Sequence, residues 1–350
     1  MKKSQIIQAV AALSLFAATP ALAVETGNSN LKIGAKIFAD YTQSKTTLNG
    51  ATTAKTTGMN IGRAYLQTSY KIDDMWSLGV TLDAAQENTL SKKTSVFVKN
   101  AYVKGSFSPM VEVSLGIITT PWIAYEDGLS KHRYVAKSYA DTMGFDSSAD
   151  AGIGVSGQAS ILHYALAGVN GAGYGNIAAS NGQDFNGRIG LAAEGATFDV
   201  GYRNGFKGTN TLGTGVVTAT SSGTKSALTQ IMATYGENDY RVGANYIMNN
   251  DKVVATNLQT KSRGVETWVW ANATDVLGVF GRYESTKAKS DANVGTTQTT
   301  KHYVLGLESR YGKNVTMALA LDQTNVTNNG YTVGSTKKTT KFGLYTQAKF

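Results

Sequence analysis

The densest run of ionisable side chains lies in IAYEDGLSKHRYVAKSYADTMGFDSS, residues 123–148. Glu126 and Asp127 are followed within a dozen residues by Lys131, His132, Arg133 and Lys137. Two acids, an imidazole and three permanent cations could serve acid–base catalysis, metal binding or electrostatic selection. The three histidines argue against catalysis. His132-Arg133-Tyr134, His163-Tyr164-Ala165 and His302-Tyr303-Val304 supply neither an H-x-S arrangement nor H-E-x-x-H. Gly152 to Gly157, GIGVSG, matches G-x-G-x-x-G, but no helix follows it and no strong strand precedes it, so no dinucleotide site is expected. With no cysteine, a lipoprotein anchor, disulfides, thiolate metal sites and c-type haem attachment are excluded, and no cofactor or metal is expected. Electrostatics remain. In a narrow passage with low-dielectric walls, a basic cluster focuses the field and favours anions. The plainer alternative puts the same segment over a mouth or at a subunit interface, with its charges paired. His132 is a candidate titrating group, and His163 and His302 are expected near strand ends.

Such a segment needs a scaffold, and the rest of the chain has one period. LKIGAKIFADYT places Leu31, Ile33, Ala35, Ile37, Ala39 and Tyr41 on one face, with Lys32, Gly34, Lys36 and Asp40 on the other. WSLGVTLDA, VEVSLGI, TFDVGYR, YRVGANY, HYVLGLESRY and VTMALALD repeat the alternation, and KFGLYTQAKF carries it to the last residue, Phe350. Short turns fall near Asp73-Asp74, Ser108-Pro109, Gln158-Ala159, Glu194-Gly195, Glu237 to Asp239, Ala273 to Asp275 and Gly312 to Asn314. Long Gly/Thr/Asn/Ser-rich loops are expected at 44–57, 88–95, 121–149, 170–182, 204–226, 249–262, 285–300 and 324–337. Eight loops and seven turns separate sixteen strands.

The start of the chain reads as a secretory leader. Met1-Lys2-Lys3 is basic, Ile6 to Ala18 is largely apolar, and Ala21-Leu22-Ala23 is a small-x-small cleavage site. Residues 1–23 are therefore expected to be removed, leaving 24–350 as one domain that begins at Val24. That leader carries two lysines and no acid, so its removal lowers the net charge from +9 to +7. An exported basic protein points to anionic solutes or lipid headgroups, not nucleic acid. No stretch is long and apolar enough for a membrane helix.

Period-two alternation without an apolar run is what a closed barrel shows when lipid wets one face and water the other. A soluble β-sandwich also alternates, but it has no reason to gather aromatics at one end. Here Tyr70, Trp76, Phe107, Phe198, Tyr235, Tyr240, Tyr311 and Phe350 lie on the apolar face, close to a short turn or the terminus. Together they would form one belt at the headgroup level.

In these pieces the chain resembles the Gram-negative outer-membrane porins. The likeness is carried by the terminal strand closing on Phe350, by NIGRAYLQTSYKIDDMWSLGVTLDA and by VKNAYVKGSF with VSLGIITTPW. The last two are similar to the phosphate-selective O/P-type porins. The resemblance implies an all-β, transmembrane, antiparallel up-and-down barrel of sixteen strands in the cell outer membrane. It implies a third extracellular loop folded into the lumen, a homotrimer, contact with lipid bilayer and lipopolysaccharide, and a terminal aromatic, Phe350, read as an assembly signal. The third loop here lacks the P-E-F-G-G motif of general porins, so its inward course rests on length and position.

On this reading the functional residues are those that shape the lumen. The strand phases turn Lys32, Lys36, Arg63, Lys104, Arg188, Arg203, Arg241, Arg282 and Arg310 inward, with Asp83, Glu112, Asp199, Glu284 and Glu308 among the acids. Arg282 with Glu284, and Glu308 with Arg310, are spaced as local ion pairs. The constriction is assigned to Glu126, Asp127, Lys131, His132, Arg133 and Lys137. The expected function is passive diffusion of small hydrophilic solutes and ions, with moderate anion preference and no enzymatic activity. A plugged barrel with a structural or adhesive role is the alternative, and an outer-membrane lipase or protease stands third.

Overall fold

The computed structural model describes residues 30–86, 94–175, 177, 183–207 and 223–350. The leader, including its proposed cleavage site, and most of the loops expected at 88–95, 170–182 and 204–226 lie outside the described residues. Sixteen antiparallel strands close into one barrel in simple sequence order, with β1 beside β16. They are β1 (Leu31–Leu48), β2 (Ala51–Lys71), β3 (Trp76–Gln86), β4 (Thr94–Ser108), β5 (Val111–Thr119), β6 (Ala149–Ala159), β7 (Leu162–Val169) and β8 (Asp184–Ala193). Then come β9 (Ala196–Lys207), β10 (Thr224–Gly236), β11 (Tyr240–Val253), β12 (Gln259–Asn272), β13 (Leu277–Ser290), β14 (Thr297–Tyr311), β15 (Val315–Thr327) and β16 (Thr336–Lys349). The seam is complete: β1 and β16 pair from Lys36 and Lys349 to Leu48 and Lys337, and the Ala35 N–H donates to the Phe350 carbonyl at 3.3 Å. Closure leaves no strand edge open, which lets a sheet sit in hydrocarbon with its backbone satisfied.

The expected alternation is clearest in β9 to β12. In β10, Ser226, Leu228, Gln230 and Met232 are buried while Ile231 and Tyr235 are exposed. In β12, Glu266, Trp268 and Trp270 are buried while Val265 and Val269 are exposed. The outside of the closed sheet is thus apolar and the inside mixed, the reverse of a water-soluble core. Seven of the eight belt aromatics rank among the exposed large apolar side chains, and Tyr311 is half-buried. Two pairs touch in the belt, Trp76 with Phe107 at 5.8 Å and Tyr235 with Tyr240 at 6.3 Å between centroids.

The alternation of short turns and loops holds, but four expected loops shrink. The segment read as 44–57 is a hairpin in which β1 and β2 run to a two-residue turn, Asn49-Gly50, both with positive φ. Asn-Gly is the pair that such a turn favours. Likewise 249–262 contracts to 254–258, 285–300 to 291–296 and 324–337 to 328–335. Thr, Asn and Ser on both faces read as loop, yet β-branched Thr favours a strand once its neighbour supplies the ladder. GIGVSG lies within β6, followed by a turn and β7, as a wall and not a nucleotide turn.

The connection between β5 and β6 carries two short helices, α1 (Ile123–Ser130) and α2 (Tyr139–Thr142). Apolar clusters form where it meets the buried faces of the strands: Ile123, Tyr139, Ala140 and Phe145 pack with Leu228 and Ile247. Tyr134 and Val135 pack with Phe38, Trp268, Trp270, Phe280 and Tyr345.

Candidate functional site

The connection is fastened to strands far apart around the ring. Near its start the Tyr125 hydroxyl donates to Asp199 Oδ2 at 2.8 Å on β9. Arg188 of β8 donates Nη1 to Asp199 Oδ1 at 2.8 Å and Nε to the Pro121 carbonyl at 2.9 Å, its guanidinium 3.6 Å above the Tyr125 ring. His163 Nε2 closes this cluster, 2.7 Å from Asp199 Oδ1. On the other side, Trp270 Nε1 on β12 donates to the Leu129 carbonyl at 2.9 Å, and Tyr139 Oη lies 2.5 Å from Thr286 Oγ1 on β13. Glu308 on β14 accepts from the Tyr134 hydroxyl at 2.9 Å and lies 3.0 Å from His132 Nε2. The His132 ring stacks on Phe280 at 3.8 Å.

Two wall glycines seat this connection. A Cβ at Gly201 would collide with the Trp122 ring, and one at Gly264 with the Tyr139 hydroxyl. Glycine inside a strand marks such close approach.

The six residues assigned to the constriction do not act as a free basic cluster. Arg133 lies 3.3 Å from Asp127 and 2.9 Å from Asp141, and Lys137 reaches Asp141 at 3.2 Å. Lys131 stands 3.3 Å over the Trp270 ring, and burial lowers its pKa. Burial pushes Asp127 up, against the pull of Arg133. Glu126 is fully buried and accepts from Trp122 Nε1 at 2.8 Å. Its burial, with the charge of Asp127 adding, raises its pKa to about 7, and the equally buried Glu266 of β12 faces it. Two carboxyls in one dry site cannot both ionise cheaply.

Of the nine cations expected on the inward face, six meet carboxylates. Arg63 bonds Asp83 at 2.6 Å, Lys104 Glu112 at 3.0 Å, Arg188 Asp199, Arg203 Asp184, Arg282 Glu284 at 3.0 Å and Arg310 Glu308 at 3.3 Å. The two pairs read from spacing alone are thus both formed. Arg241 bonds Thr234 Oγ1 at 3.0 Å, Lys32 is exposed at the start of β1, and Lys36 approaches the Phe38 ring. His302 corrects its assignment to a strand end. It is buried inside β14 between Glu284 (2.9 Å), directly opposite on β13, and Asp322 (2.8 Å), diagonal to it on β15.

One inward cation escaped the sequence. The register between β3 and β4 skips Lys99, pairing Thr81 with Asn100 and Leu82 with Val98. The bulge brings Lys99 over Tyr65 at 4.8 Å and Tyr174 at 5.7 Å. Strict alternation cannot register a bulge.

A cavity of about 940 Å³ remains between residues 133–142 and β1, β2, β15 and β16. Among its lining residues Arg63, Arg133, Lys137, Lys337 and Lys341 outnumber Asp40, Asp141 and Asp322. Lys337 and Lys341 make no ion pair among the described residues.

No protein-family model matches the chain, and no curated protein matches its sequence. Solved structures do match. An anion-selective porin from Comamonas acidovorans aligns over 91% of this chain and 99% of its own, with TM-score 0.62 and 11% identity. OmpF of Salmonella typhi in complex with daunomycin aligns over 94% and 100%, with TM-score 0.64 and 13% identity. The fold is that of the outer-membrane porins. OmpT, an outer membrane protein of Vibrio cholerae, in a trimer form, matches this porin fold over 91% and 99%, with TM-score 0.60 and 14% identity. At such identities the likeness concerns architecture alone.

Proposed function

We propose that the chain, with residues 1–23 removed, is an outer-membrane channel for passive diffusion of small hydrophilic solutes and ions. It has a moderate preference for anions and no catalytic role. The observation that carries this reading is the cavity of about 940 Å³ bounded by residues 133–142 on one side and the β1, β2, β15 and β16 wall on the other. In this reading the connection between β5 and β6 folds into the lumen and narrows it. Its bonds to β8, β9, β12, β13 and β14 support that course. Anion preference rests on the five cations against three acids in the lining, Lys337 and Lys341 above all. The paired Lys137 and Arg133 contribute less than a free cluster would. A trimer fits the same architecture, as do a lipid and lipopolysaccharide surround and Phe350 as an assembly signal.

A plugged barrel is favoured by a different observation, the burial of Trp122, Ile123, Tyr139 and Phe145 against the wall. One measurement separates the two. In a planar bilayer under a KCl gradient, stepwise conductance with an anion-selective reversal potential is expected. A folded, heat-modifiable barrel with no conductance would sink the channel reading and leave the plugged one.

A further inference from the structure

An asparagine followed by glycine is chemically fragile, because glycine puts no side chain between its own nitrogen and the preceding amide. The sequence has six such steps: Asn49-Gly50, Asn170-Gly171, Asn181-Gly182, Asn186-Gly187, Asn204-Gly205 and Asn329-Gly330. Asn181 lies outside the described residues. The fold treats the other five unequally. Asn186 and Asn204 lie within β8 and β9, paired with a neighbouring strand on either side. Asn186 is also buried, its amide nitrogen donating to Asp146. Gly171 is buried, and a Cβ there would strike the Phe206 carbonyl. At Asn329-Gly330 the Gly330 N–H donates to Gln298 Oε1 at 2.8 Å, which ties up the nitrogen that would attack.

Asn49-Gly50 is held the other way round. Both residues are exposed at the tip of the β1–β2 hairpin, and a Cβ on Gly50 would meet nothing within 4 Å. Among the described residues the Gly50 N–H has no hydrogen-bond partner, and neither has the Asn49 side-chain nitrogen. The amide oxygen is engaged. The Thr336 N–H, at the start of β16, donates to Asn49 Oδ1 at 2.8 Å, while the Asn49 N–H donates to the Thr336 carbonyl at 2.8 Å. A donor on that oxygen draws electrons from Cγ and stabilises the oxyanion that forms when a nucleophile adds there. A free nucleophile, a polarised carbonyl and a solvent-facing leaving group thus meet in one exposed turn.

We propose that Asn49 is a self-modification site, converted without an enzyme to aspartate and isoaspartate. The deprotonated Gly50 nitrogen adds to Asn49 Cγ, the Cγ–Nδ2 bond breaks, and ammonia leaves carrying the proton. Water then adds to either carbonyl of the five-membered imide and breaks one of its two C–N bonds, giving aspartate or isoaspartate. Each conversion puts one negative charge at the hairpin tip. Leu48, the preceding residue, stands directly opposite Lys337, so the new carboxylate arises one residue from an unpaired cation of the cavity. The conversion is independent of whether the lumen conducts; its effect on selectivity rests on the channel reading.

The test is peptide mass spectrometry of the folded barrel, held in mildly alkaline detergent and digested with trypsin at intervals. The fragment from Thr46 to Lys55 is expected to gain about 1 Da at Asn49, with isoaspartate told from aspartate by fragmentation. Conversion there is expected to be at least about tenfold faster than at Asn170, Asn186, Asn204 or Asn329. In the urea-unfolded chain that ranking is expected to vanish. Thr336→Pro removes the N–H from Asn49 Oδ1 at a strand start, where proline is tolerated, and is expected to slow Asn49 several-fold. Equal rates at the five steps of the folded wild type, or no conversion at Asn49, overturns the site without recourse to a variant. An unchanged or faster rate in folded Thr336→Pro overturns the part given to the Thr336 N–H. In a planar bilayer, Asn49→Asp is expected to shift the KCl reversal potential toward cation preference, and an unchanged potential removes the effect on selectivity. A barrel that converts at Asn49 but conducts nothing would sink the channel reading and leave this site standing.

Discussion

Glu126 is a residue whose ionisation the fold accommodates poorly. Its pKa is raised, so the folded state holds a proton that the unfolded chain releases near the ordinary carboxylate value. The stability this contributes is fully present below about pH 4 and is lost as pH rises through about 7. Thermal unfolding in detergent should show the wild type losing stability between about pH 4 and 8, by at most a few kcal/mol on the order expected from such a shift. Glu126→Gln still offers an acceptor to Trp122 Nε1, and its unfolding profile should be flatter over that interval. An equal slope in both proteins would remove Glu126 as the cause. At Tyr139 the effect is simpler. Tyr139→Phe removes the hydroxyl bonded to Thr286 and should cost about 1 kcal/mol, read in the same unfolding experiment.

Among the elements, the connection between β5 and β6 depends on wall positions that have no charge at all. Gly264→Leu would drive a side chain into the space of the Tyr139 hydroxyl and displace α2. Its Cβ would also press on the Ser285 carbonyl of β13, so heat-modifiability in detergent must first show a folded barrel; in that barrel the channel reading expects single-channel conductance to rise as the connection swings aside. Unchanged conductance from a folded variant would mean that the connection does not limit the passage. The strand faces were legible in the sequence because a two-residue period survives wherever lipid and water lie on opposite sides. The hairpin tips were not, because beyond the lipid both faces are wet and Ser44 to Thr57 loses its contrast although it is still paired. Lys99 was hidden by its bulge. The partners of Arg133 and Glu308 were hidden because they depend on which strands the ring brings face to face.

Over the whole molecule, the channel reading makes the sign of selectivity follow from what stays unpaired. Neutralising Lys131, Arg133 and Lys137 together leaves Asp127 and Asp141 without their cations, so the KCl reversal potential should move toward cation preference. Neutralising Lys337 and Lys341 should move it the same way without exposing an acid, and the larger shift identifies the dominant field. If neither moves it, the cavity is not the selective region. The seam between β1 and β16 carries a consequence in time. β1 pairs with β16, the sixteenth strand in sequence order, so the ring cannot shut before β16 has formed. A copy truncated by one strand is therefore not a narrower barrel but an open sheet with two sticky borders. Until β16 docks, both the first strand and the growing edge are left as unpaired borders.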